Sequence, residues 1–201
     1  MKQEVLIHFR RVDPTLFSVL AKIPNKEHFV PVTSRDLFSD LVETIICQQL
    51  SDKAGATIFG RFQKLFTPGK VTPERVLEFS DETIRGVGTS RSKVGFIKNL
   101  AQHVLTKSVQ LAQLAKLPDQ EVIRELTKLK GIGPWTAEMF LMFSLGREDV
   151  FSYGDLGLRN AIKKLYGLKK DPTKKQMESL TRKWSPYRTY AARILWRSLE
   201  L

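Results

Sequence analysis

Gly131 and Gly133, one residue apart and followed at once by Pro134, constrain this chain more than any other feature. They stand in the string Leu126-Thr127-Lys128-Leu129-Lys130-Gly131-Ile132-Gly133-Pro134-Trp135-Thr136-Ala137, between two segments of helical character. Ahead of them Asp119 is a good N-cap, and Val122, Ile123, Leu126 and Leu129 fall on one helical face. Gly131 is placed to stop that helix, because glycine takes the left-handed backbone that other residues resist. Pro134 suits the first turn of the next helix, where its missing N–H costs nothing. The reading is helix, two-glycine hairpin, helix. Such a hairpin lets the backbone approach a ligand closely, and the leading N–H groups of the second helix are unpaired donors at the positive end of a dipole, which suits phosphate. An ordinary interhelical turn fits the Gly-x-Gly alone just as well.

The rest of the chain reads as helices. Leu6-Ile7-His8-Phe9 is the one short extended piece expected, and Asp13-Pro14 starts a helix through Leu16, Val19, Leu20 and Ile23. Pro24 and Pro31 bracket an irregular segment, and His8 and His28 read as surface or packing residues. Ser34 or Asp36 caps a helix with the stripe Leu37, Leu41, Val42, Ile45 and Ile46, which ends in Gln48-Gln49-Leu50-Ser51. A helix from Ala54 to Phe66 turns Ile58, Phe59, Phe62 and Leu65 inward, and short helices follow from Pro73 and Asp81. Gly86-Val87-Gly88 echoes the hairpin weakly, and a plain turn explains it; Arg91 and Lys93 then open a helix within reach of a backbone phosphate. After the hairpin, Ala137, Phe140, Met142, Phe143 and Leu145 give a helix apolar on most faces and therefore buried. Asp155 begins another, with Leu158, Ala161, Ile162 and Leu165 on one stripe, and Ser185-Pro186 starts the last. No useful strand-like alternation appears after the first 35 residues, so the fold class is all-α.

Charge narrows the partners. Lys+Arg 33 against Asp+Glu 21 leaves a net charge of +12, which favours a polyanion, nucleic acid being the commonest. Lys163, Lys164, Lys169, Lys170, Lys174 and Lys175 form a basic run whose ordinary reading is a solvated face. The single cysteine, Cys47, excludes an internal disulfide and any cysteine-built zinc or iron–sulfur centre, and reads as a small buried side chain. With no signal peptide, basic amphipathic tail or long apolar span, an intracellular location is expected, cytoplasm and nucleoid or a nucleus, with no membrane partner.

Asp155 follows Gly154 at a helix start, and from spacing alone such an aspartate is an N-cap. Seven helical steps separate it from Ile162, so its carboxylate is also expected to point over the apolar stripe. The longer pattern, Leu-x-Gly-Ile-Gly-Pro-Trp-Thr-Ala with Gly154-Asp155 beyond it, resembles the helix-hairpin-helix DNA glycosylase superfamily, and within it the branch that excises alkylated bases. The similarity runs from about Leu37 to Trp196.

That resemblance implies one glycosylase unit of two small helical lobes around a DNA-binding cleft, roughly residues 36–145 with the hairpin, and 1–35 with 146–201. It makes Asp155 the catalytic carboxylate, and Asp149, in a polar turn, falls outside the pattern. It assigns Trp135 and Trp196 to the pocket of the flipped base, with Met139 and Tyr153 beside them; for Trp196 core packing stays an equal alternative. Gln48, Gln49 and Leu50 become wedge candidates for the gap in the duplex, and Lys130, Gly131, Gly133, Thr136, Arg91 and Lys93 phosphate contacts. A monovalent cation on the hairpin carbonyls between Lys130 and Gly133 accompanies the resemblance, and no other metal or cofactor is required. The bifunctional relatives carry a Schiff-base lysine where this chain has Trp135, which argues for an enzyme that stops at the abasic site. The expected partner is double-stranded DNA with alkylated bases, acted on by a monomer. The alternatives are a non-catalytic DNA-binding or lesion-sensing module, and a glycosylase for deaminated or oxidised bases.

Overall fold

The computed structural model describes every residue except Asn25, Glu27, His28 and Thr67, and the described chain is all helical, with no strand. The chain opens with α1 (Gln3–Val12) and α2 (Pro14–Lys22), followed by α3 (Leu37–Cys47) and α4 (Asp52–Lys64). Next come α5 (Pro73–Glu78), α6 (Asp81–Gly86), α7 (Arg91–Leu105) and the single turn α8 (Leu111–Leu114). The glycine hairpin lies between α9 (Asp119–Leu126) and α10 (Pro134–Met139), and α10 runs on into one π-helical turn, Phe140–Ser144. The last helices are α11 (Leu156–Leu165), α12 (Lys174–Thr181) and α13 (Arg188–Ser198). They divide into two compact units, one made of Met1–Thr33 with Leu145–Leu201 and the other of the continuous segment Ser34–Ser144.

The continuous unit is organised on α3. Asp36, not Ser34, is its cap, accepting the Ser39 N–H at 3.1 Å. Leu41, Val42, Ile45 and Ile46 are fully buried, and α3 packs on α4, α7 and α10. Burial of each such side chain contributes about 1.5–3 kcal/mol, so this one stripe outweighs any single polar contact in the unit. Cys47, in the last turn of α3, is half-buried under Gly55, where an added Cβ would come within 2.6 Å of its Sγ. After the hairpin, Ala137, Phe140 and Met142 are buried as expected, but Phe143 is 45% exposed. It lies in the π turn, whose angular step differs from the 3.6-residue spacing used to place it inside.

The other unit draws on both chain ends: α2 packs on α1 and α13, and α13 on α11. Here the expected extended piece Leu6–Phe9 is helical. Val5 and Phe9, one turn apart, are buried in α1, while Ile7 between them is 59% exposed. His8 is half-buried, its ring edge-on to Phe9 and Tyr187, and His28 lies outside the described residues. Two helix starts also differ from expectation. Asp119 is the first residue inside α9, after Pro118, and α13 begins at Arg188 rather than at Ser185-Pro186.

Two carboxylates hold this unit. Asp13 is 1% exposed; its Oδ1 caps α2 through the Leu16 N–H at 3.0 Å. Its Oδ2 accepts from Tyr166 Oη at 2.6 Å, Trp184 Nε1 at 2.8 Å and Lys183 Nζ at 3.0 Å. Burial pushes this carboxyl up, and the bonds from Tyr166, Leu16, Trp184 and Lys183 outweigh that and hold it below the usual carboxylate range. Asp149 fixes the start of α13, accepting from Arg188 Nε at 2.7 Å, Arg188 Nη2 at 3.0 Å, the Arg188 backbone N–H at 3.1 Å and Ser185 Oγ at 2.7 Å. Burial raises its pKa and this bidentate pairing more than reverses the effect, so Asp149 is a structural anion.

Candidate active site

The hairpin is built much as its glycines require. The helix before it ends at Leu126, with the chain turning through Leu129 before Gly131 takes φ +86°. An added Cβ at Gly131 would run into the Phe96 ring of α7, so glycine is needed there for close approach as well as for its backbone. Gly133 has an ordinary φ and acts as N-cap to α10, with Pro134 in the first turn. Lys130 and Gly133 are exposed, Gly131 is partly so, and Thr136 is buried. Of the four carbonyls from Lys130 to Gly133, that of Gly131 accepts from Gln48 and that of Gly133 from the Ala137 N–H.

The turn after α3 sorts the wedge candidates. Gln48 does not project outward: its Nε2 donates to the Gly131 carbonyl at 2.9 Å and to Thr136 Oγ1 at 3.0 Å. Gln49 stands exposed at the tip with φ +58°, and Leu50 beside it is 38% exposed, a large apolar side chain held in water. The phosphate candidates on α7 divide too. Arg91 is exposed in the first turn, but Lys93 points its ammonium at the end of α3, donating to Ile46 O and Gln48 O at 2.7 Å each. Burial in that position lowers the Lys93 pKa. The ammonium expected at a phosphate thus holds the backbone at the end of α3 in this structure.

Asp155 is the N-cap of α11, with its Oδ1 accepting the Leu158 N–H at 2.7 Å. The same oxygen accepts the indole N–H of Trp196, on α13, at 3.0 Å. Two donors from two helices thus fix one carboxylate oxygen, and the half-buried group is not simply a solvated cap. Gly157 makes room for this arrangement: a Cβ there would lie 3.1 Å from Asp155 Oδ1, 3.1 Å from Trp196 Cδ1 and 3.2 Å from Trp196 Nε1. Sequence reading passed over Gly157, though an isolated glycine within a helical stripe is a signal of close approach. Trp196 itself is half-buried, its ring partly on the core stripe and its N–H on Asp155.

The remaining pocket candidates differ in setting. Trp135 is half-buried in the first turn of α10, and Met139, one turn on, is buried. Tyr153 lies two residues before Asp155; its ring packs on Phe151 with centroids 5.1 Å apart, and its hydroxyl pairs with Thr181 Oγ1 at 2.9 Å. Among the described residues no group of three or more His, Cys, Asp or Glu is placed to hold a metal ion, and no helix is long and apolar enough to cross a membrane.

Comparison with known proteins places this geometry. Residues 42–186, which include the turn after α3, the hairpin and Asp155, match the HhH-GPD superfamily base excision DNA repair protein family. DNA-3-methyladenine glycosylase 1 of Schizosaccharomyces pombe is 32% identical over 97% of this chain and 86% of its own length. The solved structure of the Schizosaccharomyces pombe 3-methyladenine DNA glycosylase in complex with abasic DNA superposes with TM-score 0.88, at 32% identity, over 99% of this chain and 98% of that one. A DNA-3-methyladenine glycosidase from Bacillus halodurans gives TM-score 0.79 at 38% identity, over 98% of this chain and 88% of that one. The protein whose glycine hairpin and tethered aspartate are described above therefore belongs to the HhH-GPD superfamily of base excision DNA repair proteins.

Proposed function

We propose that this protein is a monofunctional DNA glycosylase that flips alkylated purines, of the 3-methyladenine and 7-methylguanine type, out of duplex DNA and hydrolyses their N-glycosidic bond. A base within a duplex is out of reach of any side chain, so the nucleotide must first leave the stack. The exposed Gln49 and Leu50 are assigned to the gap it leaves, and the hairpin at Lys130, Gly131 and Gly133, with Thr136 in the helix behind it and Arg91 from α7, to the strand backbone. Trp135 and Trp196 are assigned to the base, with Met139 and Tyr153 near them; aromatic faces suit a cationic purine through stacking and cation–π attraction.

Breaking the glycosidic bond builds positive charge on the sugar. A carboxylate already fixed in place stabilises that charge without reorganising during the reaction. It also orients the attacking water and accepts its proton. N3- or N7-alkylated purines carry positive charge before cleavage and leave without a protein acid to protonate them. The observation that carries this reading is the double tether on Asp155 Oδ1, from Leu158 N–H and Trp196 Nε1–H, since a plain cap needs only the first.

Duplex DNA treated with a methylating agent tests it. The parent chain is expected to release 3-methyladenine, and Asp155→Asn to release it about a hundredfold more slowly or less. Equal rates for the two would overturn the mechanism. Because Trp135 holds the place of the Schiff-base lysine, borohydride is expected to trap no covalent adduct with abasic DNA. Trapping would establish strand-cutting activity.

A further inference from the structure

The wedge turn and the hairpin are separated by 83 residues in sequence at their point of contact, yet one face of α7 reaches both. Lys93, Phe96 and Asn99 follow one another at three-residue spacing on that helix. Lys93 Nζ donates to Ile46 O and Gln48 O, at 2.7 Å each, and so fixes the backbone where α3 gives way to the turn. Phe96 lies against Gly131, and Asn99 Oδ1 accepts the Lys130 N–H at 3.1 Å. Gln48 closes the arrangement with its bonds to Gly131 O, at 2.9 Å, and Thr136 Oγ1, at 3.0 Å. A carbonyl only accepts, so it is the amide nitrogen of Gln48 that must face Gly131.

We propose that Gln48, backed by Lys93, Phe96 and Asn99, is a positioning residue that locks the turn at Gln48–Ser51 to the glycine hairpin, so that the two surfaces engage DNA as one rigid piece. The proposal rests on the assignment of both surfaces to DNA made above. Its physical content is preorganisation. A turn and a hairpin already ordered against each other lose little freedom on binding, and the affinity of each then depends on the other being in place. It also accounts for Gln48 and Lys93 turning their polar ends onto backbone carbonyls rather than into solvent. Their polar atoms are engaged in ordering the segments that meet DNA, and neither is assigned a contact with DNA itself.

Gln48→Met tests this, because it keeps the length of the side chain and removes both donors. Without DNA, hydrogen exchange at the amides of Lys130–Ile132 and of Gln48–Ser51 is expected to quicken by about tenfold or more in both segments, since two buried bonds are lost. Unchanged exchange in the hairpin overturns the proposal. With a duplex carrying a tetrahydrofuran abasic analogue, Leu50→Ala is expected to weaken the parent by about tenfold but the Gln48→Met chain by less than about twofold, the mark of coupled sites. Losses that simply multiply overturn it as well. If Gln48→Met does not fold, Lys93→Met, which frees the same turn from α7, is measured in its place with the same expected outcomes. Should the parent chain release no base from methylated DNA, the proposed function fails while the exchange experiment still decides the lock.

Discussion

Trp196 Nε1 and Leu158 N converge on the same oxygen of Asp155, at 3.0 Å and 2.7 Å. The indole bond joins two helices through the group assigned to the chemistry, so removing the donor disturbs the carboxylate's direction without removing its charge. Trp196→Phe keeps a flat, smaller ring and loses the N–H. It is expected to lower the single-turnover rate of base release by about tenfold to a hundredfold, the loss of one hydrogen bond to a charged group, with a smaller effect on affinity for abasic DNA. An equal loss in both would assign Trp196 to binding alone.

Gly157 is the neighbour that permits this geometry. Alanine there gains helix propensity of up to about 1 kcal/mol but presses on both Asp155 Oδ1 and the Trp196 ring. Gly157→Ala is expected to leave the melting temperature nearly unchanged and to slow base release by about tenfold, once the carboxylate and indole are pushed a few tenths of an ångström apart. Thermal melts and single-turnover release on one preparation separate the two effects.

At the wedge turn the two exposed side chains are chemically unequal. An apolar side chain inserted between base pairs leaves water, whereas a glutamine must give up hydrogen bonds to do the same. Leu50→Ala is therefore expected to slow base release from duplex DNA more than Gln49→Ala, by about fivefold or more, and to do much less on a substrate where the damaged base lies opposite a gap. Equal effects of the two changes would move the wedge to Gln49.

Asp13 gives a stability prediction away from the site. Its pKa is depressed in the folded protein, so its contribution is fully present above the unfolded value of about 3.9 and is lost as pH falls through the folded value. Asp13→Ala leaves Tyr166, Trp184 and Lys183 without their shared acceptor and is expected to lower unfolding free energy at neutral pH by about 3–5 kcal/mol. The deficit relative to the parent should narrow in acid below the parent's folded pKa, which denaturant titrations at pH 7 and at low pH will measure.

Much of this protein is legible in its sequence where a local rule acts. The α3 stripe, the hairpin and the cap at Asp155 each follow from spacing or from the conformational freedom of one glycine, and the structure has all three. Leu6-Ile7-His8-Phe9 looks extended in isolation, whereas burial of Val5 and Phe9 one turn apart makes it helical. For Gln48 and Lys93 nothing local in the sequence shows that their partners lie at Gly131 and at Ile46. Asp155 is the instructive case. From spacing alone it reads as a cap, and the indole of Trp196, distant in sequence, adds a second donor to the capping oxygen.

The division of the chain also has a temporal side. Ser34–Ser144 is continuous, while the unit bearing Asp155 needs both Met1–Thr33 and Leu145–Leu201. On the ribosome, domains form as their sequence emerges, so the unit that holds the hairpin is complete before Asp155 has been synthesised. The first helices must wait for the last ones, and a nascent chain halted near Ser144 would carry the hairpin without Asp155.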